Sequence, residues 1–127
     1  MNTPTNPTPV ATPAQILRDA ATYLQVYGWT TDNYYDRSTA AAFPPACASG
    51  AIYYAACGVA YPATLDGLDS YYEAEDFFVR HLGLNPKQSD LPIADWNDRD
   101  GQTADTVITA LRSAADAWES KHAGGAA

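Results

Sequence analysis

The sequence predicts an all-α fold, a compact bundle of about four helices arranged around a central helix that carries no charge. Apolar residues recur three and four positions apart in several segments, as on the buried face of a helix. Residues that begin and end helices flank those segments, and no segment alternates apolar and polar residues as a half-buried strand does. A chain of 127 residues suits one domain. We expect a disordered tail over residues 1–11, a helical domain over 12–121 and a frayed end over 122–127.

The central helix is predicted from a stretch without charge. No charged residue occurs from Ser38 to Leu65, and small residues lie on more than one face of Ala46–Tyr61, as in a helix surrounded by others. Gly50 weakens such a helix, so we expect it where a neighbouring backbone comes close. The residues expected to bound the helix are Pro44 and Pro45 before it and Gly58 and Pro62 after it.

The first helix has a clear predicted start. Thr12 is the expected N-cap, Pro13 takes the first helical position, and Gln15 completes a capping box with Thr12. Gly28 is expected to end the helix in a left-handed turn.

Two more long helices follow the central one. Ser70 and Glu73 have the spacing of a second capping box, and Gly83 is expected to stop the helix that they open. A short helical turn is expected over Ile93–Trp96. Thr103 is the expected cap of the last and longest helix.

The charge balance limits the classes of partner. Fifteen acidic against seven basic residues give a net charge of −8, which argues against a nucleic-acid binder because such proteins need a basic surface. It permits a protein partner that is itself basic. The uncharged stretch is too short and too weakly apolar to span a bilayer, and the sequence has no signal-peptide pattern. We therefore expect no membrane partner and a cytoplasmic location.

A cysteine-dependent hydrolase or transferase is one alternative. Cys47 as nucleophile, His81 as base and Asn97 or Asp98 as orienting group occur in the order found in papain-type enzymes. A thiol in the first turn of a helix has a lowered pKa. Against this, His81 lies in a predicted helix and no strand-rich segment is present to build that scaffold. The structural interpretation makes Cys47 a small core residue and His81 a helix-terminal cation.

The densest polar segment is Asp95–Gly101, which suggests a calcium loop. With Gly101 at position 6 of an EF-hand loop, Trp96 falls at position 1 and Val107 at position 12, where ligands are required. We therefore predict no metal and no cofactor. Instead we predict a structural motif with Trp96 in the core, Asn97 and Asp98 on turn amides and Arg99 paired with a carboxylate.

An aromatic surface supports the leading functional hypothesis, a non-enzymatic protein that binds another protein. The chain has nine Tyr and three Trp but few basic residues, which is typical of protein interfaces. A second alternative is self-association through the same surface as a homo-oligomer. The residues predicted to bind are the aromatic Tyr34, Tyr35, Tyr71 and Tyr72 and the acidic Asp32, Asp36, Glu73, Glu75 and Asp76.

Three segments carry a family resemblance: Ile16–Thr30, Cys47–Ala51 and Ala94–Ala115, which includes Trp-Asn-Asp followed by a Thr-capped helix. They resemble an uncharacterised family of short proteins from actinobacteria and their phages. The resemblance implies a small helical intracellular domain and brings no known activity, cofactor or catalytic residue. It also suggests a phage or prophage protein that acts on a host protein. The long approach to Cys47, rich in Ala and Pro, departs from the family pattern.

Overall fold

The computed structural model describes residues 11–62, 64 and 66–123, and within them the chain forms five helices and no strand. The predicted all-α bundle is therefore confirmed. Most of the predicted tail, residues 1–10, and the last four residues of the predicted frayed end lie outside the described residues. The helices are α1 (Pro13–Tyr27), α2 (Ala48–Cys57), α3 (Leu68–Leu82), α4 (Pro92–Asn97) and α5 (Ala104–Ala123).

The helices share one hydrophobic core. α1 packs against α2, α3 and α5, while α2 packs against α1, α3 and α4. Each long helix contributes fully buried apolar side chains to the core, among them Leu17, Ile52, Phe78 and Leu111. No described helix combines the length and apolar character that a membrane crossing requires.

The predicted start of α1 is confirmed. The Thr12 hydroxyl accepts from the Gln15 amide at 3.2 Å, and the Gln15 side chain accepts from the Thr12 amide at 3.0 Å. Gly28 ends the helix, as predicted, but not in a left-handed turn, since its φ is 108° and its ψ is 163°. This conformation, with a positive φ that favours glycine, aims the Gly28 carbonyl at Ala46, whose amide donates to it at 3.1 Å.

The central helix begins later than predicted and ends at Gly58, the first of the two residues expected to end it. Ala46 is extended, because its amide and carbonyl bond the segment after α1, and Thr30 donates to that carbonyl at 2.9 Å. Cys47 is the N-cap, and its thiol accepts from the Gly50 amide at 3.3 Å. Gly58, left-handed at φ 78°, ends the helix as predicted, so Tyr61 lies outside it. The prolines therefore precede an extended segment rather than the first helical turn.

The predicted start of α3 is also wrong. The helix begins at Leu68 with Gly67 as N-cap, and no side chain caps it, so Ser70 and Glu73 form no capping box. Gly67 is left-handed, and a Cβ there would lie 2.6 Å from the Ala56 carbonyl oxygen. The close approach to the end of α2 therefore sets the start of α3.

The remaining helix ends agree with the sequence. Gly83 is left-handed and caps the end of α3. The predicted helical turn over Ile93–Trp96 is part of α4. The Thr103 hydroxyl accepts from the Thr106 amide at 3.1 Å, which caps α5 as predicted.

Candidate functional site

A cleft lies between the loop after α1, the start of α2 and α4, with a volume of about 220 Å³. A smaller pocket of about 70 Å³ adjoins it, and both are lined by Tyr34, Leu91 and Ala94. We call the two together the α4 cleft. Its other lining residues include Asp32, Asn33, Cys47 and Asp98 in the larger part and Ser49, Glu75, Val79 and Asp90 in the smaller part.

Asn97 holds the walls of the cleft together. Its side chain is fully buried, and its Oδ1 accepts from the Trp29 indole at 2.7 Å and from the Ala48 amide at 2.9 Å. Its Nδ2 donates to the Thr30 carbonyl at 3.0 Å and to Asp98 Oδ1 at 2.9 Å. Every hydrogen-bonding position of the Asn97 amide is therefore used. One side chain fixes the loop after α1, the start of α2 and α4 relative to one another.

Asp98 extends this arrangement to the rim of the cleft. The oxygen that accepts from Asn97 also accepts from the Asp32 amide at 3.1 Å. Asp32 is left-handed, with φ 72°, a conformation that Asp tolerates better than most residues do. Asp98 therefore bonds a loop amide, whereas Asn97, predicted to do the same, accepts from an indole and from the first amide of α2. The arrangement places two exposed carboxylates on one wall of the cleft.

Cys47 lies in the floor of the cleft as a buried thiol. Burial raises its pKa to about 11 and outweighs the backbone amides of Gly50 and Ser49, which lower it. The thiol therefore stays protonated near neutral pH, which reverses the expectation of a lowered pKa. Cys47 and Cys57 are both free.

The structure does not bring His81 to Cys47. The exposed His81 ring lies 3.2 Å from the Ser113 hydroxyl of α5. The residue of α3 that meets the start of α2 is Glu75, which accepts from the Ser49 hydroxyl at 2.9 Å. His81 is six residues further along, a rise of about 9 Å. Of the predicted catalytic residues, Cys47, Asn97 and Asp98 therefore lie together at the cleft, while the predicted base, His81, lies elsewhere.

Glu75 is a half-buried carboxyl group beside the hydroxyls of Tyr71 and Tyr34. Burial raises its pKa, although hydrogen bonds from Ser49 and Tyr71 oppose the shift. Burial and the nearby Glu75 also hold the pKa of Tyr71 far above its usual range. Glu75 therefore belongs to an interior polar cluster, not to the free acidic surface that the sequence suggested.

The predicted tyrosines separate into core and surface residues. Tyr35 and Tyr71 are buried, so their predicted place on an exposed binding surface is wrong. The Tyr35 hydroxyl donates to the Gly50 carbonyl at 2.9 Å, which explains why its ring points inward. Tyr34 is half-buried at the cleft, and Tyr72 is exposed on α3.

The other predicted acidic residues lie at separate places. Asp32 lines the cleft, whereas Glu73 and Asp76 lie beside a different depression between α3 and α5, where Asp76 pairs with Arg80. The Asp36 carboxylate accepts from the Ser38 amide and hydroxyl, and these hydrogen bonds lower its pKa.

The predicted structural motif agrees with the structure at Trp96 but not at Arg99. Trp96 is buried, and its ring meets the Phe78 ring edge to face at 5.5 Å. Its carbonyl accepts from the Gln102 side chain at 2.9 Å. The predicted ion pair of Arg99 does not form with any carboxylate in the described part of the chain.

Some cleft residues were not identified from the sequence. Leu91 is 58% exposed at the mouth of the cleft. Leu91 does not share the helical spacing of the buried Ile93 and Trp96. An apolar residue outside that spacing could have indicated an exposed position. Beside the cleft, the Tyr61 ring is tilted against the Tyr34 ring with centroids 4.4 Å apart, a contact between distant segments that no local pattern indicates.

The ionisable side chains that line the cleft are acidic. Its lining holds the carboxyl groups of Asp32, Asp98, Glu75 and Asp90 and, among the residues described, no Lys, Arg or His. Within the same part of the chain, no three His, Cys, Asp or Glu side chains gather closely enough to hold a metal ion. The arrangement suits a cationic group with an apolar stem.

Sequence comparison places these features in a family. Residues 8–117 match DUF6197, which is described as a family of unknown function. Neither the comparison with curated proteins nor that with solved structures finds a match. Because the family match spans most of the sequence, the chain belongs to DUF6197, a family of unknown function.

Proposed function

We propose that this protein is a non-enzymatic domain that binds another protein through the α4 cleft, and that the partner inserts a Lys or Arg side chain. The observation that carries the proposal is the lining of the cleft, which has four carboxyl groups and no cationic group among the described residues. A basic side chain of a partner supplies the missing charge, and its aliphatic stem suits Leu91 and Ala94.

The aromatic and apolar residues at the cleft have the composition of an interface. Tyr34 and Tyr61 pack together at 4.4 Å, and the exposed Leu91 lies in the same lining as Tyr34. Aromatic residues at the centre of a patch with a polar rim carry most of the binding energy in protein interfaces. A cation close to the Tyr34 ring gains a further cation–π contribution of about 0.5–2 kcal/mol.

The net charge of the whole chain also favours a basic partner. A net charge of −8 attracts a basic partner over a distance and raises its association rate. We extend the proposal to a cytoplasmic setting in an actinobacterium or its phage, where the bound partner is a host protein.

A cysteine-dependent enzyme has less support. The Cys47 thiol has a raised pKa, and His81 pairs with Ser113 instead of approaching it. A nucleophilic mechanism requires a base within hydrogen-bonding reach of the thiol.

The test is affinity capture from lysate of the source organism with three baits. They are the wild type, Leu91→Arg, which places a cation at the mouth of the cleft, and Thr109→Arg, which adds the same charge at an exposed position on α5. We expect the wild type and Thr109→Arg to capture the same stoichiometric partner and Leu91→Arg to lose it. Binding should also weaken when salt rises from about 0.05 M to about 0.3 M, because salt screens the attraction.

Capture of the partner by Leu91→Arg at the wild-type level would place binding on another surface. Absence of any stoichiometric partner at low salt would contradict the proposed function itself. Mapping a captured partner by chemical crosslinking should identify a Lys or Arg next to Asp32 or Asp98.

A further inference from the structure

A second exposed surface is aromatic and apolar. The rings of Tyr27 and Phe43 stack at 4.9 Å, and Phe43 meets Tyr54 edge to face at 6.1 Å. Tyr23 lies beside this group, 4.9 Å from Tyr27 and 5.2 Å from Tyr54. Val26 precedes Tyr27 on α1 and is 63% exposed. We call Val26, Tyr27, Phe43 and Tyr54 the aromatic face.

The aromatic face is held in place from below. The buried Tyr23 hydroxyl donates to the Pro44 carbonyl at 2.7 Å, which fixes the residue after Phe43 against α1. Although Tyr27 and Phe43 are about 40% exposed, they therefore keep their mutual position. A surface ordered in advance loses less conformational entropy on binding.

The aromatic face has no charge of its own. Its residues come from two uncharged segments, 20–31 and 38–62. Charges of both signs border this face. Asp19 lies one turn before Tyr23 on α1, Arg37 lies near Tyr23, and Arg112 of α5 donates to the Gln25 side chain, next to Val26. None of the residues that line the α4 cleft belongs to this face.

We propose that the aromatic face is a dimer interface that pairs with the same face of a second copy. Two copies that each carry a charge of −8 repel one another, so they associate best through a surface without charge. In a two-fold dimer the same patch must be complementary to itself, as stacked aromatic and aliphatic groups are. The bordering Asp19 and Arg37 supply both signs of charge at the edge of such a contact.

The uncharged surface continues beyond the four residues of the aromatic face. A stable interface buries about 800 Å² on each partner. The exposed, uncharged segment 39–42 adjoins Phe43 and extends the apolar surface. This proposal is independent of the proposed function, because the dimer leaves the α4 cleft open on both copies.

Sedimentation velocity of the full chain tests the proposal over concentrations from about 5 μM to about 500 μM. We expect a concentration-dependent dimer that becomes tighter at higher salt, since salt screens the repulsion between the copies. Val26→Asp should weaken dimerisation by at least about tenfold, because it places like charges in the contact. Leu91→Asp makes the same charge change at a similarly exposed site in the cleft and should dimerise like the wild type.

Circular dichroism and the melting temperature of each variant separate loss of association from loss of fold. A wild type that is monomeric at every concentration would overturn the proposal. So would a Val26→Asp variant that dimerises normally, or a Leu91→Asp variant that loses the dimer to the same extent.

Discussion

The side-chain oxygen of Asn97 accepts a hydrogen bond from the Trp29 indole at 2.7 Å and so joins α4 to the segment that follows α1. The same oxygen accepts from the Ala48 amide, one of the free amides at the start of α2. The Asn97 side chain therefore supplements the Cys47 cap at the start of α2 and holds the α4 cleft in shape. This role explains why a polar residue is fully buried in a core that is mostly apolar.

Substitution of Asn97 by Ala should lower the free energy of unfolding by about 3 kcal/mol, because it leaves several buried polar groups without partners. The matched control is Asn33→Ala, an exposed Asn in the same cleft, which should change stability by less than about 0.5 kcal/mol. Urea denaturation followed by circular dichroism measures both. Equal midpoints for Asn97→Ala and the wild type would show that the network contributes no net stability.

Gly50 shows why a helix that favours Ala keeps a Gly. A Cβ at this position would lie 2.4 Å from the Tyr34 carbonyl oxygen, a backbone atom that cannot turn aside. Gly50→Ala should therefore lower stability by more than about 2 kcal/mol, although Ala is the better helix former by about 1 kcal/mol.

The control for Gly50 is Gly58→Ala. Gly58 is left-handed, but a Cβ at this position would have no atom within 4 Å, so that variant meets only the conformational cost of about 1 kcal/mol. Thermal melts of the two variants should place Gly50→Ala clearly below Gly58→Ala. The reverse order would mean that α2 moves away from the Tyr34 backbone with little loss of free energy.

The parts of the fold that follow from local chemistry were predictable from the sequence. The capping box of Thr12 and Gln15 and the cap at Thr103 each involve residues three apart, so the sequence contains the whole interaction. The expected close approach at Gly50 is confirmed for a related reason, since only a nearby backbone justifies Gly within that helix.

The errors arise where distant segments decide the conformation. Ala46 is extended because its backbone bonds the segment after α1, and Gly67 begins α3 because Ala56 lies against it. The sequence likewise does not indicate which of Tyr34 and Tyr35 points into the core. Adjacent side chains point in different directions, and only a long-range contact, here from Tyr35 to Gly50, decides which one is buried.

The two cysteines should differ in reactivity. Burial raises the pKa of both thiols, to about 11 for the buried Cys47, while Cys57 is half-exposed at the end of α2. Iodoacetamide at about pH 7.5 should label Cys57 first and Cys47 only after denaturation, because the thiolate is the reactive form. Mass spectrometry of wild type and Cys57→Ser measures each site. Rapid labelling of Cys47 in folded Cys57→Ser would restore the cysteine-enzyme hypothesis.

Glu75 should make stability depend on pH in a direction opposite to that of a surface carboxylate. Burial raises its pKa above the ordinary value of 4.5, so the folded state binds its proton more tightly than the unfolded state does. Its contribution to stability is therefore complete below about pH 4.5 and is lost as the pH rises through the raised pKa. Ionised Glu75 has Ser49 and Tyr71 as donors, but the described residues of the cleft lining include no cation.

Glu75→Gln removes this ionisation and keeps an oxygen that accepts from Ser49. The variant should match the wild type in melting temperature near pH 4 and exceed it near pH 7, where the wild type carries a half-buried charge. Glu73→Gln, on an exposed position of the same helix, is the control and should not show this divergence with pH. Since both variants remove one negative charge, general charge repulsion affects them alike. A gain at pH 7 of the same size in Glu73→Gln would therefore assign the effect to net charge rather than to the burial of Glu75.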